Sequence, residues 1–444
     1  MEGDSGVLKK KQYRLAGVIL LVLTAAMIML TWKPWNKTDV TLTLGMFAGS
    51  NWDVPSGDSY AIVDRVIERF EEKHPGVHVT YTSGILKRDY SEWLSEQILL
   101  GDAPDVYFIL SDDFNLLSSV GALKDLDELA GADGEFGKER YYQAAYQFGE
   151  NGGKQYALPY ESVPILMFVN KTLLEKEGIP MPGNDWTWDE FYDICKKVTR
   201  DTDGNGVTDQ FGCYDFGWKN AVYTNGARLF SEDGNISYFG DSRVEEAIRF
   251  VKDLNDLNEG YAVSSKEFDM GRVAFRPFAF SDYRTYKPYP WSIKKYSGFE
   301  WDCIKMPAGR EGGNVSELDT LLMGINDGTR KEALAWDLLK MFCYDEETQR
   351  MLFTDSQGVS VLKDVTESSE VMELLNEDTP GGSSLDMTLL SQAMENGISA
   401  PKFRKYEEAM TRADNQVSQI ISGQKTLDNG LLVLQREINN YLRN

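Results

Sequence analysis

The sequence predicts an α/β protein of two lobes, and three observations carry that expectation. The chain has 444 residues, and about 400 remain once an apolar N-terminal run is set aside, more than a single core accommodates. Strand-like alternation and helical periodicity succeed one another from Val40 onwards, in the order that builds a helix-covered parallel sheet. Apolar residues make up 42% and aromatics 12%, enough to fill large cores and too many for a disordered chain.

The first element stands apart from that body. Lys9, Lys10, Lys11 and Arg14 precede an uncharged apolar run from Leu15 to Trp32, which Lys33 ends. Eighteen uncharged, mostly apolar residues approach the length of a membrane span. The cationic flank keeps the N-terminus in the cytoplasm and exports the chain beyond Trp32. Residues 1–14 then read as a basic cytoplasmic tail, 15–32 as a signal anchor or a signal peptide, and 33–39 as a linker. No cysteine lies near the end of the run, so a lipid anchor is not available there and the helix itself would tether the protein to the cell membrane.

In the body, Val40 to Phe47 alternates as a strand, and Ala48 to Gly57 is a loop. Ile62, Val63, Val66, Ile67 and Phe70 recur at helical spacing until His74-Pro75-Gly76 stops the helix. Val77–Tyr81 is a strand, 90–100 a helix and Asp105–Leu110 a strand. Tyr156–Pro159 and Ile165–Val169 read as two further strands. Thr187-Trp188-Asp189-Glu190 has the capping-box pattern of a helix start. Helices are expected over 243–258, 330–343, 347–353 and much of 404–443, with a loop at 376–384.

Charge and chemistry exclude several functions. A net charge of −24 argues against nucleic acid as a partner, since phosphate neutralisation needs Lys and Arg. The two histidines, His74 and His78, share one short turn-like stretch, which argues against a histidine zinc site or a histidine-dependent triad. Cys195, Cys213, Cys303 and Cys343 form no CxxC pair and read as small buried hydrophobes, with a Cys195–Cys213 bridge as the alternative.

The body resembles the extracytoplasmic solute-binding proteins of carbohydrate ABC transporters, the family that includes the maltose-binding protein. The segments that carry the resemblance are Thr41–Phe47, Ile67–Val79, Ile98–Phe108, Gly121–Leu126, Tyr156–Tyr160, Phe168–Lys171, Trp186–Phe191, Glu332–Leu339 and Glu347–Gln349. Their order and spacing over residues 40–440 are more specific than any one of them. The resemblance implies a periplasmic-binding-protein-like fold: two α/β lobes, a hinge crossed more than once, and ligand held in the cleft between them. Crossings would fall near 160, 303 and 358. Lobe I would be 40–160 with 303–358, and lobe II 161–302 with 359–444. The resemblance further implies a monomeric, non-catalytic carbohydrate receptor that delivers its ligand to the permease subunits of an ABC importer.

A sugar presents an apolar face and a ring of hydroxyls, so aromatic rings and carboxylates are the residues to seek in loops after strands. Trp52 and Asp53 come after the first strand, Asp112 and Asp113 after the third, and Tyr160 and Glu161 sit at the first hinge. By the resemblance, Asp112 aligns with an acid that binds sugar hydroxyls in the maltose-binding member. Trp218 and Tyr223 share a Gly-Trp-Lys-Asn-Ala-Val-Tyr segment. Phe280, Tyr283 and Trp291 lie in an aromatic-rich stretch, and that wealth of rings favours an oligosaccharide.

A structural Ca²⁺ is expected in Asp201–Gln210. Asp201, Asp203, Asn205 and Asp209 stand at positions 1, 3, 5 and 9 of an EF-hand-like spacing, with Gly206 at 6 and the Val207 carbonyl at 7. The twelfth position is Gly212, so the bidentate Glu is missing. Two rival functions stand beside the transport reading: a sugar-sensing input to a membrane receptor, and an extracellular polysaccharide-processing enzyme with an acid–base carboxylate pair.

Overall fold

The computed structural model of the chain describes residues 39–52, 60–286, 299–377, 386–401 and 403–444. The apolar run 15–32, Asp53, Trp291 and most of the expected loop 376–384 lie outside the described residues. Among the described residues no helix is long and apolar enough to cross a membrane.

Eleven strands are described: β1 Val40–Gly45, β2 Val77–Tyr81, β3 Val106–Ile109, β4 Glu150–Asn151, β5 Lys154–Gln155, β6 Ala157–Asn170, β7 Phe211–Cys213, β8 Val273–Ala279, β9 Trp301–Ile304, β10 Leu318–Ile325 and β11 Val359–Ser360. The main sheet runs β2-β1-β3-β10-β6-β8-β7, with β9 and β11 also paired to β6, and β4 and β5 form a separate hairpin.

Two expectations need correction. β1 pairs with β2 and β3 in parallel, and β7 with β8, but β10 is antiparallel to both β3 and β6. The sheet is mixed rather than parallel, because β10 reaches the middle of the sheet from a segment more than 140 residues beyond β6. The two strands expected at 156–159 and 165–169 are one 14-residue strand, β6. Fourteen residues of strand reach ~46 Å, far enough to serve both halves of the molecule. The Ala157–Pro164 part of β6 pairs with β10, and the Ile165–Asn170 part pairs with β8 and β9. Pro159 and Pro164 sit within it, and a register shift at Leu321/Leu322 lies opposite the first.

Three apolar cores result from this arrangement. One packs Leu42, Leu44, Val66, Phe70, Val106 and Leu339. The second gathers Val169, Trp186, Phe191, Ile248 and Phe275 with Ala413, Val417 and Leu434 of the two last helices, Tyr406–Ile421 and Leu427–Arg443. The third lies between them and holds Leu166, Phe278, Val361 and Leu390. Local signals place the helices as expected. The helix Ala61–Lys73 buries Ile62, Val63, Val66 and Phe70, then stops before Gly76, whose φ of 87° suits glycine. The helix Trp188–Val198 starts at a reciprocal capping box and buries Trp188, Phe191, Cys195 and Val198. The Glu190 carboxylate accepts from the Thr187 amide at 2.9 Å. Thr187→Ala is expected to cost about 1 kcal/mol, a Tm loss of about 2–4 °C on a thermal melt.

All four cysteines are free and buried, so the Cys195–Cys213 bridge does not form.

Candidate ligand-binding cleft

The register of β6 against β10 lays out one groove. Side chains alternate along each strand, so Glu161, Val163 and Ile165 share a face of β6. Leu321 and Asp319 pair with Glu161 and Val163. The Ile165 amide donates to the Glu317 carbonyl at 3.2 Å, which puts Glu317 next in the row. A small pocket of about 70 Å³ lies at the Glu161/Leu321 end and also touches Ser50, Asn51, Tyr160 and Ser356. A cavity of about 420 Å³ lies at the Ile165/Glu317 end and also touches Trp218, Asp215, Arg276 and Asp282. The larger volume falls in the range of ligand pockets, about 300–1,000 Å³. The first end belongs to the loop after β1 and the segment Asp355–Gln357 before β11, and the second to elements after β7 and β8, so the groove runs across the strand that joins the two halves.

Glu161 is the most buried acid of the groove, at 4% exposure. Burial pushes its pKa up to about 7, against the Ser356 hydroxyl, the Trp52 indole and Arg284, which all lower it. The Ser356 hydroxyl donates to it at 2.5 Å. The Trp52 Nε1–H is buried beside Glu161 and favours its charged form, without a hydrogen bond of normal geometry. Gly358 passes so close that a Cβ there would collide with Glu161 Oε2. Asp319 is open to water, but crowding protein and Asp112 raise its pKa. Burial likewise raises Glu317, Asp215 and Asp282.

The expected site residues divide accordingly. Trp52, Tyr160 and Glu161 converge at the small pocket. Asp112 is exposed in the first turn of the helix Ser111–Ser119 and faces Asp319. Trp218 lines the larger cavity and donates its indole N–H to Asp414 at 2.9 Å. Three of the expected residues pack away from the groove surface. Asp113 turns into the first half, where it accepts from Ser91 at 2.6 Å. Tyr223 and Phe280 are packed into the second and third cores, because each lies on the apolar face of its short helix. Tyr283 falls on the helix Phe280–Tyr286, with its side chain outside the described residues. Sequence reasoning missed Asp215, Arg276 and Asp282. A signal was present for Arg276: it is the one charge in the apolar strand Val-Ala-Phe-Arg-Pro-Phe-Ala.

The structure does not support the calcium expectation. Among the described residues no cluster of three or more His, Cys, Asp or Glu side chains is placed to hold a metal ion. The Asp201–Asp209 oxygens turn to the loop itself. Asp201 accepts from the amides of Asp203, Gly204 and Gly206, Asp203 from Asn205, and Asn205 from Val207. Asp209 accepts from the Thr202 amide and hydroxyl, both at 2.9 Å. These are Asx turns, which share the spacing of a calcium loop without converging on a centre.

A two-lobed α/β protein with an acid- and aromatic-lined groove across its connecting strand has the build of a solute-binding protein. The sequence profile described as bacterial extracellular solute-binding protein matches residues 55–348, and the chain belongs to that family. An uncharacterised lipoprotein of the oleD 5′ region from Streptomyces antibioticus is 26% identical over 349 residues, covering 72% of this chain and 70% of the relative. The xylose/arabinose-binding protein XacG from Haloferax volcanii is 24% identical over 362 residues, 74% of each chain. The cyclic alpha-maltosyl-1,6-maltose binding protein from Arthrobacter globiformis shares the fold, with a TM-score of 0.75 at 16% identity over 91% of this chain and 99% of that one.

Proposed function

We propose that this protein is an extracytoplasmic sugar-binding protein that takes up an oligosaccharide and delivers it to the permease of an ABC importer. The observation that carries this reading is the groove itself: Glu161, Asp319 and Glu317 in one row, with Trp52 at one end and Trp218 at the other. Carboxylates accept hydroxyl protons and indoles cover apolar sugar faces. The family match and the sugar ligands in the names of XacG and the Arthrobacter protein support the same class of cargo. In this reading residues 40–160 with 303–358, and 161–302 with 359–444, are the bodies that close on the ligand and present a joint surface to the transporter. The helix 15–32 tethers a monomeric receptor to the outer face of the cell membrane.

The test is a titration of the full chain, in detergent, with neutral mono- and oligosaccharides, monitored by tryptophan fluorescence and melting. A sugar at 100 times its Kd should stabilise the protein by about 2.7 kcal/mol. Trp52→Ala is expected to weaken the best ligand about 10–100-fold, as for a buried aromatic anchor. Unchanged affinity would remove Trp52 from the site. A sugar that comes back cleaved would replace the receptor with an enzyme.

A further inference from the structure

The larger cavity contains a cation in an unusual setting. The Arg276 guanidinium lies over three rings, 3.8 Å from the Phe278 centroid, 4.8 Å from Tyr214 and 5.3 Å from Phe268. The rings fix its plane and keep water from its faces, leaving the side chain 15% exposed. Its Nε–H is buried without a hydrogen-bond partner. The Asp215 carboxylate is 4.0 Å away, a charge contact too long for a hydrogen bond. Burial raises the Asp282 pKa, and the carboxyl also feels both groups, Arg276 lowering it and Asp215 raising it. Asp215 is held at φ 67°, one of two left-handed non-glycine residues among those described. Such backbone strain recurs at ligand clamps. All three side chains line the cavity of about 420 Å³.

We propose that Arg276, flanked by Asp215 and Asp282, sets the charge class of the ligand: it selects a neutral glycan hydroxyl and the flanking acids exclude uronic acids. The inference rests on the sugar-binding reading. A hydroxyl accepts one hydrogen bond and donates another. Placed here, it accepts from Arg276 and donates its own proton to a flanking carboxylate. A ligand carboxylate accepts only, and would meet Asp215 and Asp282 beside the guanidinium, with Glu317 and Asp414 further along the lining and Lys219 as the cavity's second cation. The cation alone would favour an acid; the two carboxylates around it reverse that preference.

The full chain is titrated with maltotriose and xylotriose as neutral probes and trigalacturonate as the acidic one, by fluorescence and melting. The wild type is expected to respond to a neutral trisaccharide and not to trigalacturonate. Arg276→Lys keeps the charge but loses the planar stack and the Nε donor. It should weaken neutral binding about tenfold or more, as for a charge-assisted hydrogen bond. Asp215→Asn with Asp282→Asn should admit trigalacturonate, and this pair carries the test even where Arg276→Lys does not fold. Wild-type affinity in Arg276→Lys, a wild-type preference for trigalacturonate, or a double variant that still rejects it would overturn the proposal while leaving a sugar receptor. No response to any probe of either charge would sink the sugar reading, and this inference with it.

Discussion

Asp105→Ala is expected to destabilise the first half of the molecule by about 3–5 kcal/mol, the scale for removing one partner of a buried charged network. Asp105 is 7% exposed and opens β3. Its carboxylate accepts from the Thr43 amide at 2.9 Å, the Thr43 hydroxyl at 3.1 Å, the Thr329 hydroxyl at 2.6 Å and the Lys331 ammonium at 2.9 Å. One side chain thereby ties β1, β3 and the turn after β10. Alanine would strand four donors at once, two of them from Thr43 in the sheet. Burial raises the Asp105 pKa, but the bonds from Thr329, Lys331 and Thr43 outweigh it and hold the group below the usual carboxylate range. Acid removes this contribution. The unfolded state takes up the proton first, so the stabilisation is full above the ordinary carboxylate pKa and fades as pH falls below it. Denaturant midpoints at pH 7 should fall in the variant, and the gap should narrow towards pH 3. Equal midpoints at pH 7 would show that the network is not stabilising.

Asp105 also shows what a sequence does and does not disclose. Its neighbourhood, Gly-Asp-Ala-Pro-Asp-Val-Tyr-Phe, was legible as a strand start within a family pattern, but its partners at 329 and 331 lie more than 220 residues away. Periodicity is local, so Ile62, Val63, Val66 and Phe70 declared their helix, and Thr187 with Glu190 declared a cap. Strand direction and continuity are not local. Nothing in β10 says that it will run antiparallel between β3 and β6, and two prolines made β6 look like two strands. The site obeyed the same divide. Trp52 and Asp112 follow β1 and β3, whereas Tyr160 and Glu161 lie within β6, beside the small pocket. Phe280 and Tyr223 pack their rings into cores, and the oxygens at 201–209 bond within their own loop. The Asp215–Arg276–Asp282 group exists only once β7, β8 and the helix after β8 are assembled.

Glu161→Gln should separate stability from function at the hinge. The carboxyl sits on the crossing strand β6, bonded to Ser356 and pressed by Gly358, so an isosteric amide fits where a larger group would not. Burial lifts its pKa from an ordinary 4.5 to about 7 in the folded protein. Between those values the folded state holds a proton that the unfolded state has released. Stability therefore declines as pH rises through the window, by roughly 3 kcal/mol once pH 8 is reached. Glutamine has no proton to lose. The variant should match the wild type near pH 5 and melt higher at pH 8. Sugar affinity should move the other way, because a neutral amide is a weaker acceptor for a ligand hydroxyl than a carboxylate, by about tenfold at pH 8. A residue that lowers stability and raises affinity in its charged form is kept for the ligand, not for the fold. Parallel melting curves for the two proteins from pH 5 to pH 8 would place the titrating group elsewhere, and unchanged affinity in the variant would leave Glu161 as a hinge residue without a ligand.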